Sequence, residues 1–157
     1  MKITLYVIGK TDKPHIKALT NVYMQRLQHY INFTLEVIPD IKNVKKLSES
    51  QQKTTEGDAL LKKLQASDFL TVLDEKGKTY TSEDFAGFLQ KKMNSGLKNL
   101  VFVVGGPYGF SDAIYQRANA KISLSCMTFS HQMVRPFFLE QLYRGFTILK
   151  NEPYHHK

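Results

Sequence analysis

The sequence predicts an α/β fold of three layers, in which a mostly parallel sheet lies between helices. Two observations lead to this prediction. Hydrophobic periodicity alternates between the strand pattern and the helix pattern, which gives five βα units in 157 residues with short connections. The run 100–104 is almost entirely apolar, which is typical of a central strand in a parallel sheet. No repeat or low-complexity tract divides the chain, so residues 1–157 are predicted to form a single domain.

Each predicted strand is an apolar run that a turn signal or a proline ends. Pro39 closes the second strand, and the third runs into Asp-Glu-Lys-Gly at 74–77, which is interpreted as a turn. The predicted strands are residues 2–8, 33–38, 69–73, 100–104 and 122–125.

Each predicted helix carries apolar residues at helical spacing or a capping signal at its start. Ile16, Leu19 and Tyr23 share one stripe of the first helix. Thr81 with Asp84 predicts a capping box for the third helix, and Ser111 predicts a cap for the fourth. The predicted helices are residues 14–30, 48–65, 81–93, 111–119 and 133–149, and the Lys-rich connection 40–52 is predicted to be mobile.

The composition favours a cytoplasmic protein with an anionic partner. The net charge of +8 and the pI of about 9.5 favour nucleic acid, although a generically basic surface is the alternative. A single cysteine, Cys126, excludes an intramolecular disulfide and fits a reducing compartment. The apolar run at residues 3–8 is too short for a signal peptide or a membrane span, so no membrane association is expected.

Two strand ends that lead into irregular loops predict a pocket for a nucleoside-sized ligand. Gly105-Gly-Pro-Tyr-Gly109 follows the fourth strand, where glycine lets a ligand lie against the main chain; a tight turn is the alternative. In the segment 124–129, exposed backbone groups suit the edge of an adenine, and an ordinary loop is the alternative. The residues after the first strand match neither the dinucleotide fingerprint nor a P-loop.

Four linked motifs identify a family resemblance. They are GGPYGFS at 105–111, LSCMTFSHQMVR at 124–135, FFLEQLYRGFTIL at 137–149 and EPYHHK at 152–157. Together they resemble the RlmH family of SPOUT-class methyltransferases, which modify N3 of a pseudouridine in 23S rRNA. The resemblance covers essentially the full length, and Gly145 is a minor departure. It implies a C-terminal trefoil knot, which periodicity does not predict, and an antiparallel homodimer whose protomers share one active site.

The resemblance also implies a site for S-adenosylmethionine. The matching positions are Leu73, Gly105, Gly106, Leu124, Ser125, Cys126, Met127, Thr128 and Phe129. The candidate catalytic residues are His131, Arg144, Tyr154, His155 and His156. A tyrosine that stacks on a base, with histidines at its edge, explains the tail better than metal binding, because the histidine spacing does not suit zinc.

Several of these residues also have a structural interpretation. His131 can anchor its loop, and Arg144 can pair locally with Glu140 at i,i+4. The guanidinium of Arg135 can bind phosphate or contact a second subunit.

The function that the resemblance implies is S-adenosylmethionine-dependent methylation of a 23S rRNA pseudouridine within the assembled ribosome, without a metal. Two rival interpretations remain, a ribosome-associated binding module and a purely structural α/β domain. Saturable cofactor binding separates the enzyme from both rivals, and salt-sensitive RNA binding separates the two rivals from each other.

Overall fold

In the part of the chain that the structure describes, five β-strands alternate with five α-helices. The elements are β1 (Lys2–Ile8), α1 (Pro14–Leu27), β2 (Asn32–Ile38), α2 (Glu49–Leu61), β3 (Phe69–Thr79), α3 (Ser82–Asn94), β4 (Asn99–Val104), α4 (Asp112–Arg117), β5 (Ala120–Ser123) and α5 (Val134–Leu149). The computed structural model describes residues 1–41 and 47–155. The strands form one sheet in the order β2-β1-β4-β3-β5, and every neighbouring pair is parallel. The predicted α/β class is confirmed, and β4 is the central strand.

Helices cover both faces of the sheet, and each face has its own apolar core. On one face Leu5 and Phe102 pack with Phe138 of α5, in a cluster to which α1 and α3 also contribute. On the other face Tyr6 and Val103 pack in a cluster with residues of α2 and α4. This alternation along β1 and β4 produces the three layers that the sequence predicted. The trefoil knot that the resemblance implies stays a prediction.

The helix caps follow the sequence in part. Thr81 accepts a hydrogen bond from the N–H of Asp84 over 3.0 Å at the start of α3, as predicted. Ser48 and Gln51 form a reciprocal capping box at the start of α2, which was not predicted from the sequence. Ser111 does occupy the N-cap position of α4, but its side chain makes no capping hydrogen bond.

The third strand continues to Thr79, beyond the turn predicted at residues 74–77, so its predicted end at Leu73 was wrong. Leu73 pairs with Ile122 of β5, the next four residues leave the ladder as a bulge, and Lys78 again pairs with Ile122. Gly77 makes this possible, because a Cβ there would lie 2.5 Å from the carbonyl carbon of Ile122. Glycine is required here because the backbone of β3 approaches the backbone of β5 closely at Ile122.

Other element ends differ from the prediction by a few residues. The helix α1 ends at Leu27, and β5 ends at Ser123, so the residues that follow β5 are released earlier into a loop. Residues 49–52 of the connection predicted to be mobile belong to α2, and its residues 42–46 lie outside the described part. Within the described ranges, no helix is long and apolar enough to cross a membrane.

Candidate functional site

A cavity of about 660 Å³ opens where β3, β4 and β5 end. Three segments line it: the stretch 73–76 of β3, residues 104–110 from the last residue of β4 onward, and residues 123–131 from the last residue of β5 onward, except Cys126. Tyr115 and Val134 complete the wall. The carboxyl edge of a parallel sheet is where α/β proteins bind ligands, and small-molecule sites commonly measure roughly 300–1,000 Å³. Position and size agree with the predicted nucleoside-sized ligand.

The glycine loop, residues 105–109, is a tight turn. The N–H of Gly109 donates to the carbonyl oxygen of Gly106 over 3.1 Å, and Gly109 has a φ of +78°. Pro107 and Tyr108 form the corner of the turn, and the Tyr108 side chain is half exposed at the edge of the cavity. The turn places the main chain of Gly105 and Gly106 in the cavity wall.

The missing side chain of Gly106 faces a buried carboxylate. A Cβ built on Gly106 would lie 2.5 Å from Oε2 of Glu56, a buried residue of α2. The sequence had suggested that glycine at this position leaves room for the ligand beside the main chain. The structure corrects the reason, because the first atom of a side chain here would meet α2.

Gly106→Ala is expected to lower the free energy of unfolding by roughly 1–3 kcal/mol. The added methyl group must displace the Glu56 carboxylate, which is buried and bonded to Gln52 over 2.8 Å. Urea denaturation measures the change. Gly87→Ala is the matched control, since a Cβ at this helical position meets nothing within 4 Å and should stabilise the fold by roughly 0.5–1 kcal/mol. Equal stability of Gly106→Ala and wild type would contradict the steric argument.

The loop after β5 is held by serine and threonine side chains. Ser123 Oγ donates to the carbonyl of Ser125 over 2.8 Å, and Ser125 Oγ accepts from the N–H of Met127 over 2.9 Å. Thr128 Oγ1 donates to Oε2 of Glu75 over 2.9 Å. This last bond joins the loop to the bulge of β3, so the two segments form one continuous rim.

Eight of the nine residues predicted to bind the cofactor line the cavity. They are Leu73, Gly105, Gly106, Leu124, Ser125, Met127, Thr128 and Phe129. The ninth, Cys126, is exposed and is not part of the lining. Met127 is 76% exposed, so the apolar wall depends more on Leu73, Leu124 and Phe129.

Two carboxylates of the cavity, Asp74 and Glu75, were not predicted from the sequence, because their segment was interpreted as a turn. The hydroxyl of Tyr115 donates to Oδ2 of Asp74. Burial, together with this hydrogen bond, raises the pKa of Tyr115 to about 12, so the phenol stays neutral at physiological pH. Their place in the sequence could have identified them as site residues, because acidic residues directly after a parallel strand lie at the edge of the sheet where ligand sites form.

His131 lines the cavity, and a fully buried arginine anchors its main chain. Arg135 Nε donates to the carbonyl of His131 over 3.0 Å, and Nη2 donates to the carbonyl of Ile8 over 2.6 Å. Nη1 donates to the carbonyl of Gly9 over 3.1 Å and to Oγ1 of Thr11 over 2.9 Å. Burial lowers the pKa of Arg135. The expectation that this guanidinium binds phosphate or a second subunit was wrong, because it has no exposed surface.

The tail residues Arg144, Tyr154 and His155 lie together but outside the cavity lining. Oε1 of Glu140 accepts from the Tyr154 hydroxyl over 3.0 Å and from Nη2 of Arg144 over 2.5 Å. The Arg144 guanidinium lies 4.8 Å from the Tyr154 ring centroid, and its Nη1 lies 3.4 Å from Nδ1 of His155. Ten helical residues, roughly 15 Å, separate Arg144 from Val134 in the cavity wall.

The charges in this tail cluster are well defined. The hydrogen bond to Glu140 is the main cause that raises the pKa of Arg144, so its charge is permanent. The pKa of Tyr154 is raised above its ordinary value, first by burial and then by its contact with the Tyr23 hydroxyl. The local Glu140–Arg144 pair considered from sequence is therefore present.

The predicted catalytic residues thus fall into two places on this chain. His131 lies at the cavity, whereas Arg144, Tyr154 and His155 form the tail cluster. His156 lies outside the described residues. In the described ranges, no group of three or more His, Cys, Asp or Glu side chains is arranged to hold a metal ion.

Comparison with known proteins identifies the family. Residues 1–155 match the family model described as "Predicted SPOUT methyltransferase". The chain belongs to the SPOUT methyltransferase family. It is also 65% identical to a protein of Flavobacterium johnsoniae and 62% identical to proteins of Christiangramia forsetii and Parabacteroides distasonis, over 100% of both chains in each case. Each of these relatives is named "Ribosomal RNA large subunit methyltransferase H".

These matches confirm the RlmH resemblance that the four motifs indicated. The parallel sheet with helices on both faces is consistent with the SPOUT fold class. The cavity at the ends of β3, β4 and β5 therefore lies in an enzyme of the methyltransferase class.

Proposed function

We propose that this protein methylates N3 of a pseudouridine in 23S rRNA of the assembled ribosome, with S-adenosylmethionine as the methyl donor. The observation that carries the proposal is the cavity at the carboxyl edge of the sheet, in a chain of a methyltransferase family. The names of the close relatives support ribosomal RNA as the substrate. The net charge of +8 suits a polyanionic partner.

The residues of the cavity suit S-adenosylmethionine in polarity and charge. Leu73, Leu124 and Phe129 offer apolar side chains to the adenine ring, and the loop after β5 offers backbone groups to its edge. Asp74 and Glu75 place two carboxylates in the wall, where they favour the positive charges of the ligand. When bound, the cofactor supplies an electrophilic methyl group on a positively charged sulfur.

The residues of the chain position the reactants and accept the proton that the acceptor nitrogen loses. Holding the acceptor nitrogen in line with the methyl group is worth roughly 7–11 kcal/mol in well-oriented reactions. The N3–H of the base must lose its proton, and the imidazole of His131 at the cavity is a group that can accept it. The permanent charge of Arg144 suits stabilisation of the resulting anion, and the ring of Tyr154 suits stacking on a base.

The separation of the tail cluster from the cavity favours a homodimer in which both protomers contribute to one site. On one chain, Arg144 and Tyr154 do not reach the cavity lining, so a partner's tail is needed to bring such groups to it. Met133 and Phe137 of the α5 region are 39% and 45% exposed, and they provide apolar surface for the contact. A ribosomal substrate supports a cytoplasmic location for the enzyme.

Calorimetric titration of the purified protein with S-adenosylmethionine and S-adenosylhomocysteine tests the proposal first. Saturable binding of both is expected, followed by transfer of labelled methyl to ribosomes that lack the modification. Sedimentation of the same preparation reports whether it is a dimer. A folded protein that binds neither compound and transfers no methyl to ribosomes would contradict the enzyme and favour a ribosome-bound module.

A further inference from the structure

A buried carboxylate lies directly behind the glycine loop. Glu56 is 7% exposed, and its Oε1 accepts from Nε2 of Gln52 over 2.8 Å. Gly105 and Gly106 border the ligand cavity, and they also border a small void of about 10 Å³ that Glu56 and Ser111 share. The wall between the Glu56 carboxylate and the cavity therefore consists of the glycine loop together with Phe110, which also borders both spaces, and at Gly106 only main chain separates the two.

No cation neutralises Glu56 within the described part of the chain. No ion pair within 4.0 Å among those residues includes it. Lys53, on the same helix, also borders the void. The carboxylate of Asp40, in the segment after β2, repels the negative charge of Glu56. Burial is the main cause that raises the pKa of Glu56, Asp40 adds to the rise, and the hydrogen bond from Gln52 opposes it.

A buried acid without a counter-ion costs stability, and such groups cluster where a protein uses their charge. The Glu56 side chain caps no helix, since its one hydrogen bond among the described residues comes from Gln52 on its own helix. Its position against Gly106 is the feature that needs an explanation.

We propose that Glu56 is a specificity determinant of the cavity, where its negative charge acts across Gly106 to favour a positive sulfonium over the uncharged thioether left by methyl transfer. This inference rests on the proposed function. Asp74 and Glu75 line the cavity directly, so Glu56 adds to a field of the same sign. The spent product, which lacks the sulfur charge, is then held less tightly than the fresh donor, and this favours their exchange.

The test compares the dissociation constants of S-adenosylhomocysteine and S-adenosylmethionine in wild type and Glu56→Gln at pH 8. The substitution keeps the shape of the side chain and removes its charge. Because the two ligands differ only at sulfur, the ratio of their constants reports the response to that charge. We expect the ratio to fall by roughly three- to thirtyfold in Glu56→Gln. Glu49→Gln removes the same charge from an exposed position of α2 and should leave the ratio unchanged.

Stability gives a second readout with a defined sign. The pKa of Glu56 is raised in the folded protein, so the folded state holds this proton more tightly than the unfolded state. The contribution of Glu56 to the free energy of unfolding therefore falls as pH rises above the ordinary glutamate pKa. Lys53 and Asp40 are present in both wild type and Glu56→Gln, so their effects are common to the two proteins. Glu56→Gln should raise Tm by roughly 2–4 °C at pH 8, and by less at pH 4.

The binding measurements distinguish failure of the Glu56 inference from failure of the proposed function. An unchanged ratio in folded Glu56→Gln overturns the role of Glu56, whereas failure of wild type to bind either ligand overturns the proposed function instead. If Glu56→Gln does not fold, Glu56→Met provides the same loss of charge in an unbranched side chain of similar length. A wild-type ratio in that variant also overturns the inference.

Discussion

Removal of residues 154–157 is expected to lower methyl transfer at least roughly a hundredfold while the affinity for S-adenosylmethionine changes less than about threefold. The cavity lining contains neither Tyr154 nor His155, so the cofactor site of the same chain stays intact. The deletion does remove the phenol that bonds to Glu140 and packs over Arg144. Incorporation of labelled methyl into unmodified ribosomes and calorimetry on the same preparation measure the two quantities.

Two point variants refine the result of the truncation. Tyr154→Phe keeps the ring over Arg144 and removes only the hydroxyl, so it should retain more activity than the truncated chain if stacking matters most. Lys150→Ala changes an exposed residue just after α5 and serves as the control. Full activity of the truncated protein would remove the tail from the mechanism.

Arg135→Ala is expected to lower the free energy of unfolding by roughly 3–5 kcal/mol, because a buried acceptor left without its donor costs roughly 1–3 kcal/mol. The substitution leaves the carbonyl oxygens of Ile8, Gly9 and His131 without their donor in a buried place. It also leaves a space where the largest fully buried side chain among the described residues stood. Guanidinium denaturation followed by circular dichroism measures the change.

Arg26→Ala is the matched control for Arg135→Ala. Arg26 is exposed on α1, and its guanidinium lies 5.5 Å from the ring centroids of Tyr23 and Tyr143. Loss of such exposed cation–π contacts should cost roughly 0.5–1 kcal/mol. If Arg135→Ala cost no more than Arg26→Ala, the hydrogen bonds at the start of α5 would not be important for stability.

Most of the fold could be predicted from periodicity, because each strand and helix carries its pattern locally. The apolar run of β4 predicted a central strand, and the structure confirms it. The extension of β3 could not be predicted this way, because Gly77 fits both a turn and a close approach to Ile122. Which of the two occurs depends on where β5 lies, and this is a tertiary property.

The candidate site was predicted unevenly. Eight cofactor positions from the family resemblance do border the cavity, and the glycine loop was visible in the sequence. The Glu56 carboxylate behind that loop was missed, because a glutamate in a polar stretch of helix gives no sign of burial. The role of Arg135 was misjudged for a similar reason, since its acceptors are backbone carbonyls far away in the chain.

The hydrogen bonds of Arg135 have a consequence for biosynthesis. The bonds to Gly9 and Ile8 join positions 126 and 127 residues apart in the chain, so these two carbonyl oxygens lack their donor until Arg135 has been synthesised. At roughly 5–20 residues per second, that delay is roughly 6–25 s. During it, the apolar strand β1 also lacks β4, one of its two neighbours in the sheet, for most of the time. The native state is therefore expected to form only after Arg135 has been synthesised, rather than stepwise as the chain emerges.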